Sequence, residues 1–233
     1  NFKIRGHVLV WHSQTPEWFF HEDYDVNKPF VTPEVMNVRL EKYIAGVFNH
    51  YNSVTFEDGT TAADMFYGWD IVNEAMSDST GKPRKASDNS NWARVYGDES
   101  NEYIINAFRY ANKYAPANVE LYYNDYNECD SGKMKGIVQL LTDVKNAEGT
   151  RIDGMGMQGH YNMFNPSVKD IEKAIRAYAA VVGKVNYSEL DMKVSGDVSS
   201  EEKLQKEYLA QAERYHDIYQ LLLRLDAEEG IDI

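Results

Sequence analysis

Two glutamates have the surroundings that acid–base and nucleophilic chemistry needs. Glu74 closes the run Trp69-Asp70-Ile71-Val72-Asn73-Glu74-Ala75, and Glu189 lies in Asn186-Tyr187-Ser188-Glu189-Leu190-Asp191. Each follows a short apolar stretch that reads as a β-strand. Nothing local brings them together, because more than a hundred residues separate them. If the fold gathers them, one carboxyl can give a proton to a leaving oxygen. The other, ionised, can attack an anomeric carbon or activate water against it, which is the chemistry of glycosidic bond cleavage. Taken singly, a glutamate after a strand is ordinarily a helix N-terminal charge or a solvated loop residue. The case therefore depends on the elements that carry the pair.

Those elements alternate. Apolar runs at Ile4–Val10, Phe66–Val72, Val119–Tyr123, Ile152–Met157 and Val185–Leu190 predict five strands. Between them Pro33–Phe48, Ser100–Tyr114, Lys133–Asn146 and Ser167–Val181 space their apolar residues near i, i+3, i+4, as helices do. A fifth helix is predicted over Ser200–Leu225, opened by Ser199-Ser200-Glu201-Glu202, a capping signal. Pro33 and Pro166 stand near helix starts, where a missing N–H costs little. Strand and helix in strict alternation mean right-handed βαβ units and a parallel sheet. Polar residues gather after each strand: His12, Asn73-Glu74, Asn124-Asp125, Gln158 to His160, and Glu189 to Asp191. Parallel α/β folds place their sites at strand C-termini. No glycine-rich phosphate loop follows any strand, so the (β/α)8 TIM barrel is preferred to an open nucleotide-binding sheet.

The expected barrel is incomplete. Eight units ordinarily occupy about 250 residues, whereas this chain uses 233 on five strands. Tyr51–Met65 reads as an insert, with Glu57-Asp58-Gly59-Thr60 as its turn. A further strand is poised to begin at Gly230-Ile231-Asp232-Ile233, and the chain opens on Asn1 rather than Met. We therefore expect residues 1–233 to be a partial barrel with units missing at both ends, the missing strands belonging to the rest of the same protein. Bare apolar edges on such a segment would be an aggregation hazard.

Composition removes several classes of function. Lys plus Arg number 24 against 37 Asp plus Glu, a net charge of −13, which argues against a nucleic-acid partner. No apolar run is long enough to span a membrane. The single Cys129 excludes an internal disulfide framework. The 17 Tyr, 9 Phe and 4 Trp suit neutral, ring-shaped, hydroxylated ligands, although a large core also consumes aromatics.

Five segments occur in one order: Gly6-His7-Val8-Leu9-Val10-Trp11-His12-Ser13-Gln14-Thr15-Pro16, Trp69 through Ala75, Tyr123-Asn124-Asp125-Tyr126-Asn127, Gly156-Met157-Gln158-Gly159-His160, and Ser188-Glu189-Leu190-Asp191. The series resembles glycoside hydrolase family 10, the retaining endo-1,4-β-xylanases, from the family's third barrel strand through the helix after its seventh. The resemblance implies that the strands absent from this chain are the first two and the eighth. The resemblance implies that Glu74 is the general acid/base and Glu189 the nucleophile. It implies that Asn73 hydrogen-bonds the sugar 2-hydroxyl, that His7, Trp11 and Gln158 surround the reacting sugar, and that His160 holds the nucleophile. Tyr126 becomes an aromatic platform on the leaving-group side, and Asp191 a support for Glu189 from behind. The implied substrate is xylan or xylo-oligosaccharide, with no cofactor and no metal, and the implied location is secreted, since a polymer does not enter a cell.

Two rivals stand beside that reading. One is a related barrel glycosidase acting on β-1,4-glucan or mannan; the other is a xylan-binding barrel fragment without turnover. A zinc site from His7, His12 and His160 lacks a standard ligand spacing. Trp69 reads as core, Cys129 as inert, the Ser200–Leu225 helix as a solvated outer face, and His21, His50 and His216 as surface residues.

Overall fold

The computed structural model describes residues 2–194 and 196–233. The first apolar run forms two short strands, β1 (Ile4–Gly6) and β2 (Val10–Trp11), rather than one. Both pair in parallel with β3 (Phe66–Asn73), so they occupy a single strand position interrupted at residues 7–9. Between them and β3 lies α1 (Pro33–Ser53). Thr32 caps it by accepting from the Val35 N–H, and Pro33 takes the first helical position. Met36, Leu40, Ile44 and Phe48 recur every four residues and form its buried stripe.

The rest of the chain repeats the unit. After β3 come α2 (Asn91–Tyr96), α3 (Glu102–Tyr114) and β4 (Glu120–Asp125). Then follow α4 (Ser131–Asn146), β5 (Gly154–Met157), β6 (His160–Asn162) and α5 (Val168–Val182). Last are β7 (Lys184–Tyr187), β8 (Asp191–Lys193) and α6 (Glu201–Leu223). The α6 helix is capped by Ser200, which accepts from Lys203 N–H. It buries only Ile218 and Leu221 among its residues, as a solvated outer helix does.

The main sheet is parallel throughout and runs β1/β2, β3, β4, β5, β7. Seven of the eight residues of β3 are buried, the signature of a strand covered on both faces. The sheet also curves. Five flat strand positions would hold β1 and β7 roughly 19 Å apart, yet Arg5 on β1 donates to Asn186 Oδ1 on β7 at 2.7 Å. Only a sheet rolled towards a barrel brings those strands face to face. Among the described residues its hydrogen-bonded path ends at β1/β2 on one side and at β7 on the other. On the outer edge of β7 the Val185 N–H donates to Asp232 O at 2.9 Å, the expected onset of a further strand.

Several expectations need correction. The last apolar run is strand only through Tyr187. Beyond it β8 pairs in parallel with β6, His160 in register with Asp191, a short second sheet that the apolar pattern does not announce. Tyr51 to Ser53 finish α1, and a tight turn then joins Thr55 to Thr61 around Gly59 (φ 84°). His21 is buried rather than superficial, its ring against Phe30 and its Nδ1 bonded to Lys28 O. His50 and His216 are exposed, and Trp69 is core, packed on Phe48, Tyr51 and Phe66.

Candidate active site

Glu74 is the first residue beyond β3. Its backbone turns into the left-handed region, φ 53°, while its N–H still donates to Asn124 O at 2.9 Å. The turn is pinned from outside: Arg84 Nε donates to Glu74 O at 2.7 Å, and the Ala75 N–H donates to the Tyr123 hydroxyl at 3.1 Å. Two donors then orient the carboxylate. Trp11 Nε1 reaches Oε2 at 2.9 Å, and Gln158 Nε2 reaches Oε1 at 3.0 Å. His12 lies in the same neighbourhood with a buried Nδ1 that has no partner. Burial, seconded by the Arg84 charge, pushes its imidazole down to about 4, so it stays neutral near pH 7.

Glu189 stands on the opposite strand end. Its N–H donates to Gln158 O at 3.1 Å, which carries the β5–β7 connection two residues past β7. Asn124 Nδ2 donates to Oε1 at 3.0 Å, and His160 Nε2 lies 3.1 Å from Oε2. The other ring nitrogen of His160 is 3.1 Å from Asp191 Oδ2. Burial opposes charge on this ring, but Asp191 and then Glu189 outweigh it and hold the imidazole above its ordinary value. A doubly protonated ring satisfies both carboxylates at once. Asp191 thus reaches Glu189 through His160.

The two carboxylates are joined by one continuous chain. From Glu74 it passes to Gln158, then to Asn73 Oδ1 at 3.2 Å, then to Asn124 at 3.0 Å, and so to Glu189. Ser188 Oγ donates to Asn124 Oδ1 at 2.7 Å, which fixes which way the Asn124 amide faces. Asn73 Oδ1 accepts twice, so the amide end left to serve a ligand is its NH2. Gly156 makes room for this packing: a Cβ there would sit 2.3 Å from Asn124 Oδ1 and 2.4 Å from Arg5 Nη2.

A second charged layer lies beneath. Buried Asp70 accepts from Arg5 Nε at 3.0 Å and from His7 Nδ1 at 3.0 Å. The bond to Asp70 raises the His7 imidazole above its usual value. Arg5 lies over the Tyr122 ring, 4.1 Å from its centre. The rings of His7 and Trp11 meet edge to face at 6.1 Å.

Tyr126 forms a separate arm. Its hydroxyl donates to Asp78 at 2.7 Å and accepts from Arg84 at 3.3 Å, and its ring faces Lys133 Nζ at 3.9 Å. Lys133 is fully buried between Asp125 (2.8 Å) and Asp78 (2.7 Å). Burial opposes its charge, and Asp125 with Asp78 more than restores it.

The structure therefore gathers Glu74, Glu189, Asn73, Trp11, Gln158, His160 and Asp191 into one network, with His7 beside Trp11 and Tyr126 on the flank. Sequence reasoning missed Asn124 and Ser188 as contacts, Asp70 and Arg5 as the layer below, and Arg84 with Lys133 as the frame of Tyr126. Asn124, Ser188 and Asp70 were signalled by their places inside recognised motifs; Arg5, Arg84 and Lys133 carried no signal. The histidines weighed as zinc ligands have different partners: Asp70 for His7, and Glu189 with Asp191 for His160. Among the described residues no group of three or more His, Cys, Asp or Glu is placed to hold a metal ion. A cavity of about 480 Å³ beside Trp11 is lined by His7, Gln14, Trp18, Tyr43 and Trp92, and neither glutamate lines it. Burial raises the Cys129 thiol well above its usual range, which makes it a poor nucleophile.

Comparison with known proteins places the whole chain in one family. The model of glycosyl hydrolase family 10 matches residues 1–233. A putative endo-1,4-beta-xylanase of Caldicellulosiruptor saccharolyticus is 38% identical over 98% of this chain and 69% of its own length. Endo-1,4-beta-xylanase B of Paenibacillus barcinonensis is 35% identical over 94% of this chain and 60% of its own. Among solved structures, the N-terminal endo-1,4-beta-D-xylanase 10B of Clostridium thermocellum, complexed with xylohexaose, aligns with a TM-score of 0.81 at 34% identity. It covers 97% of this chain and 43% of that one. The intracellular xylanase of Thermoanaerobacterium saccharolyticum aligns with a TM-score of 0.80 at 33% identity, covering 99% and 64%. The present chain thus spans between a fifth and about two thirds of the length of the first three curated relatives. With its strand-end glutamates, its parallel α/β sheet and a match along its whole length, the chain belongs to glycosyl hydrolase family 10.

Proposed function

We propose that this chain carries the catalytic pair of a retaining endo-1,4-β-xylanase. The observation that carries the reading is the pair itself. Glu74 and Glu189 leave different strands of one rolled sheet, face different donors, and are tied by a single Gln158–Asn73–Asn124 chain.

In the first step the Glu74 carboxyl gives its proton to the glycosidic oxygen while a Glu189 carboxylate oxygen attacks the anomeric carbon from the other face. The C–O bond breaks, the leaving sugar departs with the proton, and an ester joins the sugar to Glu189. In the second step the Glu74 carboxylate takes a proton from water, whose oxygen displaces Glu189 and restores both groups. Asn124 and His160 hold Glu189 in line for attack, and Trp11 with Gln158 holds Glu74. The NH2 of Asn73 meets the sugar 2-hydroxyl, and Tyr126 offers its ring to the leaving side.

The relatives named as xylanases, with the His7–Gln14 and Gln158–His160 motifs, favour xylan over β-1,4-glucan or mannan. We further infer that residues 1–233 are part of a (β/α)8 barrel completed by other strands of the same polypeptide. The rolled sheet, the free ends of its path and the greater length of the relatives support this. A polymeric substrate favours action outside the cell.

Reducing-sugar release from soluble xylan, mannan and β-glucan tests the reading. Release from xylan that vanishes in Glu189→Ala is the expected result. Equal release from all three polymers, or unchanged release by the variant, overturns it. Xylan retention without turnover in both forms would select the binding fragment.

A further inference from the structure

The mechanism leaves one acid unused. Glu128, in the turn between β4 and α4, is completely buried. Its Oε1 accepts from the Tyr161 hydroxyl at 2.8 Å, and its main-chain carbonyl accepts from the Tyr178 hydroxyl of α5 at 2.6 Å. Its Oε2 is buried and has no partner. A methionine or leucine could fill such a site without the cost of desolvating a carboxyl. An acid held there with an unpaired oxygen calls for a role that packing does not supply.

The partners of Glu128 indicate that role. The Tyr161 hydroxyl lies 2.9 Å from the Tyr187 hydroxyl. Tyr161 owns one hydroxyl proton and gives it to Glu128, so the Tyr187 hydroxyl is the donor to Tyr161. The relay therefore runs from Tyr187 to Tyr161 and ends on the Glu128 oxygen. Tyr161 directly follows His160 on β6, and Tyr187 stands two residues before Glu189 at the end of β7. These two segments must keep their spacing for the 3.1 Å contact between His160 and Glu189.

We propose that Glu128 is a positioning residue for the nucleophile, acting through the Tyr161–Tyr187 hydroxyl pair on the two segments that bring His160 to Glu189. The proposal rests on the reading of Glu189 as nucleophile. Burial also pushes the Glu128 carboxyl up to about 7. Protonated or not, its Oε1 remains an acceptor, as the carbonyl oxygen of glutamine would be.

The test uses dinitrophenyl β-xylobioside, whose leaving group needs no proton from Glu74, so that kcat/KM reports attack by Glu189. Glu128→Ala and Tyr161→Phe should lower kcat/KM roughly 10- to 100-fold per folded molecule, as small misplacements of reacting groups do. Glu128→Gln should stay near the wild-type value. A purely structural role would shift Tm in these variants and leave kcat/KM unchanged, which would overturn the proposal. Glu128→Gln as impaired as Glu128→Ala would overturn it as well. If Glu128→Ala does not fold, Tyr161→Phe, which removes one oxygen, decides alone. Inertness of the full-length protein towards the reagent overturns the nucleophile assignment and this role with it, a result distinct from the others.

Discussion

Asn124 Nδ2 lies 3.0 Å from Glu189 Oε1, joining the end of β4 to the second residue beyond β7 across the mouth of the rolled sheet. The same nitrogen donates its second proton to Asn73. One amide therefore steadies a carboxylate and orients the neighbour of Glu74. Asn124→Asp keeps the shape but sets a second carboxylate against Glu189 and an acceptor against the acceptor of Asn73. We expect kcat/KM on xylo-oligosaccharides to fall roughly 10²- to 10³-fold, the usual loss when a donor aimed at reacting charge is removed. A value within a few-fold of wild type would show that Asn124 is dispensable for holding Glu189.

The frame of Tyr126 makes a prediction about stability. Lys133 and Asp125 are both fully buried, 2.8 Å apart. Lys133→Met takes away the cation and leaves the buried carboxylate without its ion-pair partner, a change that costs about 3–5 kcal/mol. Urea unfolding of variant and wild type measures it. A difference near zero would mean that water reaches Asp125 once the lysine is gone.

Glu128 makes folding depend on pH in a definite direction. Its carboxyl is raised to about 7, first by burial and then by the charge of Asp125, against the opposing effects of its own N–H, Tyr161 and Lys133. Cys129 and the tyrosines around it stay protonated through this range. An unfolded glutamate loses its proton near pH 4.5, so between there and about pH 7 the folded state binds more protons. The contribution of Glu128 to stability therefore falls as pH rises through that window, by roughly 3 kcal/mol in all, while His12, pushed down to about 4, contributes in the opposite sense to wild type and variant alike. Glu128→Gln has no such dependence. Its advantage over wild type in urea unfolding should grow from pH 4.5 to pH 8, and a flat difference would contradict the assignment.

The proposed catalytic pair was legible because five motifs in one order resemble a known family, and because each glutamate follows a strand, where a parallel sheet collects its polar residues. Helix starts were legible from Pro33, which takes the first helical position of α1, and from Ser200, whose side chain holds a first-turn N–H of α6. What stayed hidden depends on contacts made at a distance. The strands β6 and β8 have three residues each, too few to show a period, and are defined by pairing with each other. The last apolar run continues past Tyr187, but Ser188 turns its hydroxyl to Asn124 and Met157 O, and the strand stops there. His21 is buried only because Lys28 to Phe30 fold back over it. The frame of Arg84, Lys133 and Asp78 around Tyr126 joins three segments that no motif connects.

The backbone of Glu74 sets two selective pressures against each other at one residue. At φ 53° an ordinary L-residue is less comfortable than glycine by about 1–2 kcal/mol. A population culled only by heat would drift towards glycine at position 74 and lose the carboxyl proposed as proton donor. One culled by growth on polymer would keep the carboxyl and accept a softer fold, so a hardened but idle lineage and a busy but fragile one can diverge by a single codon.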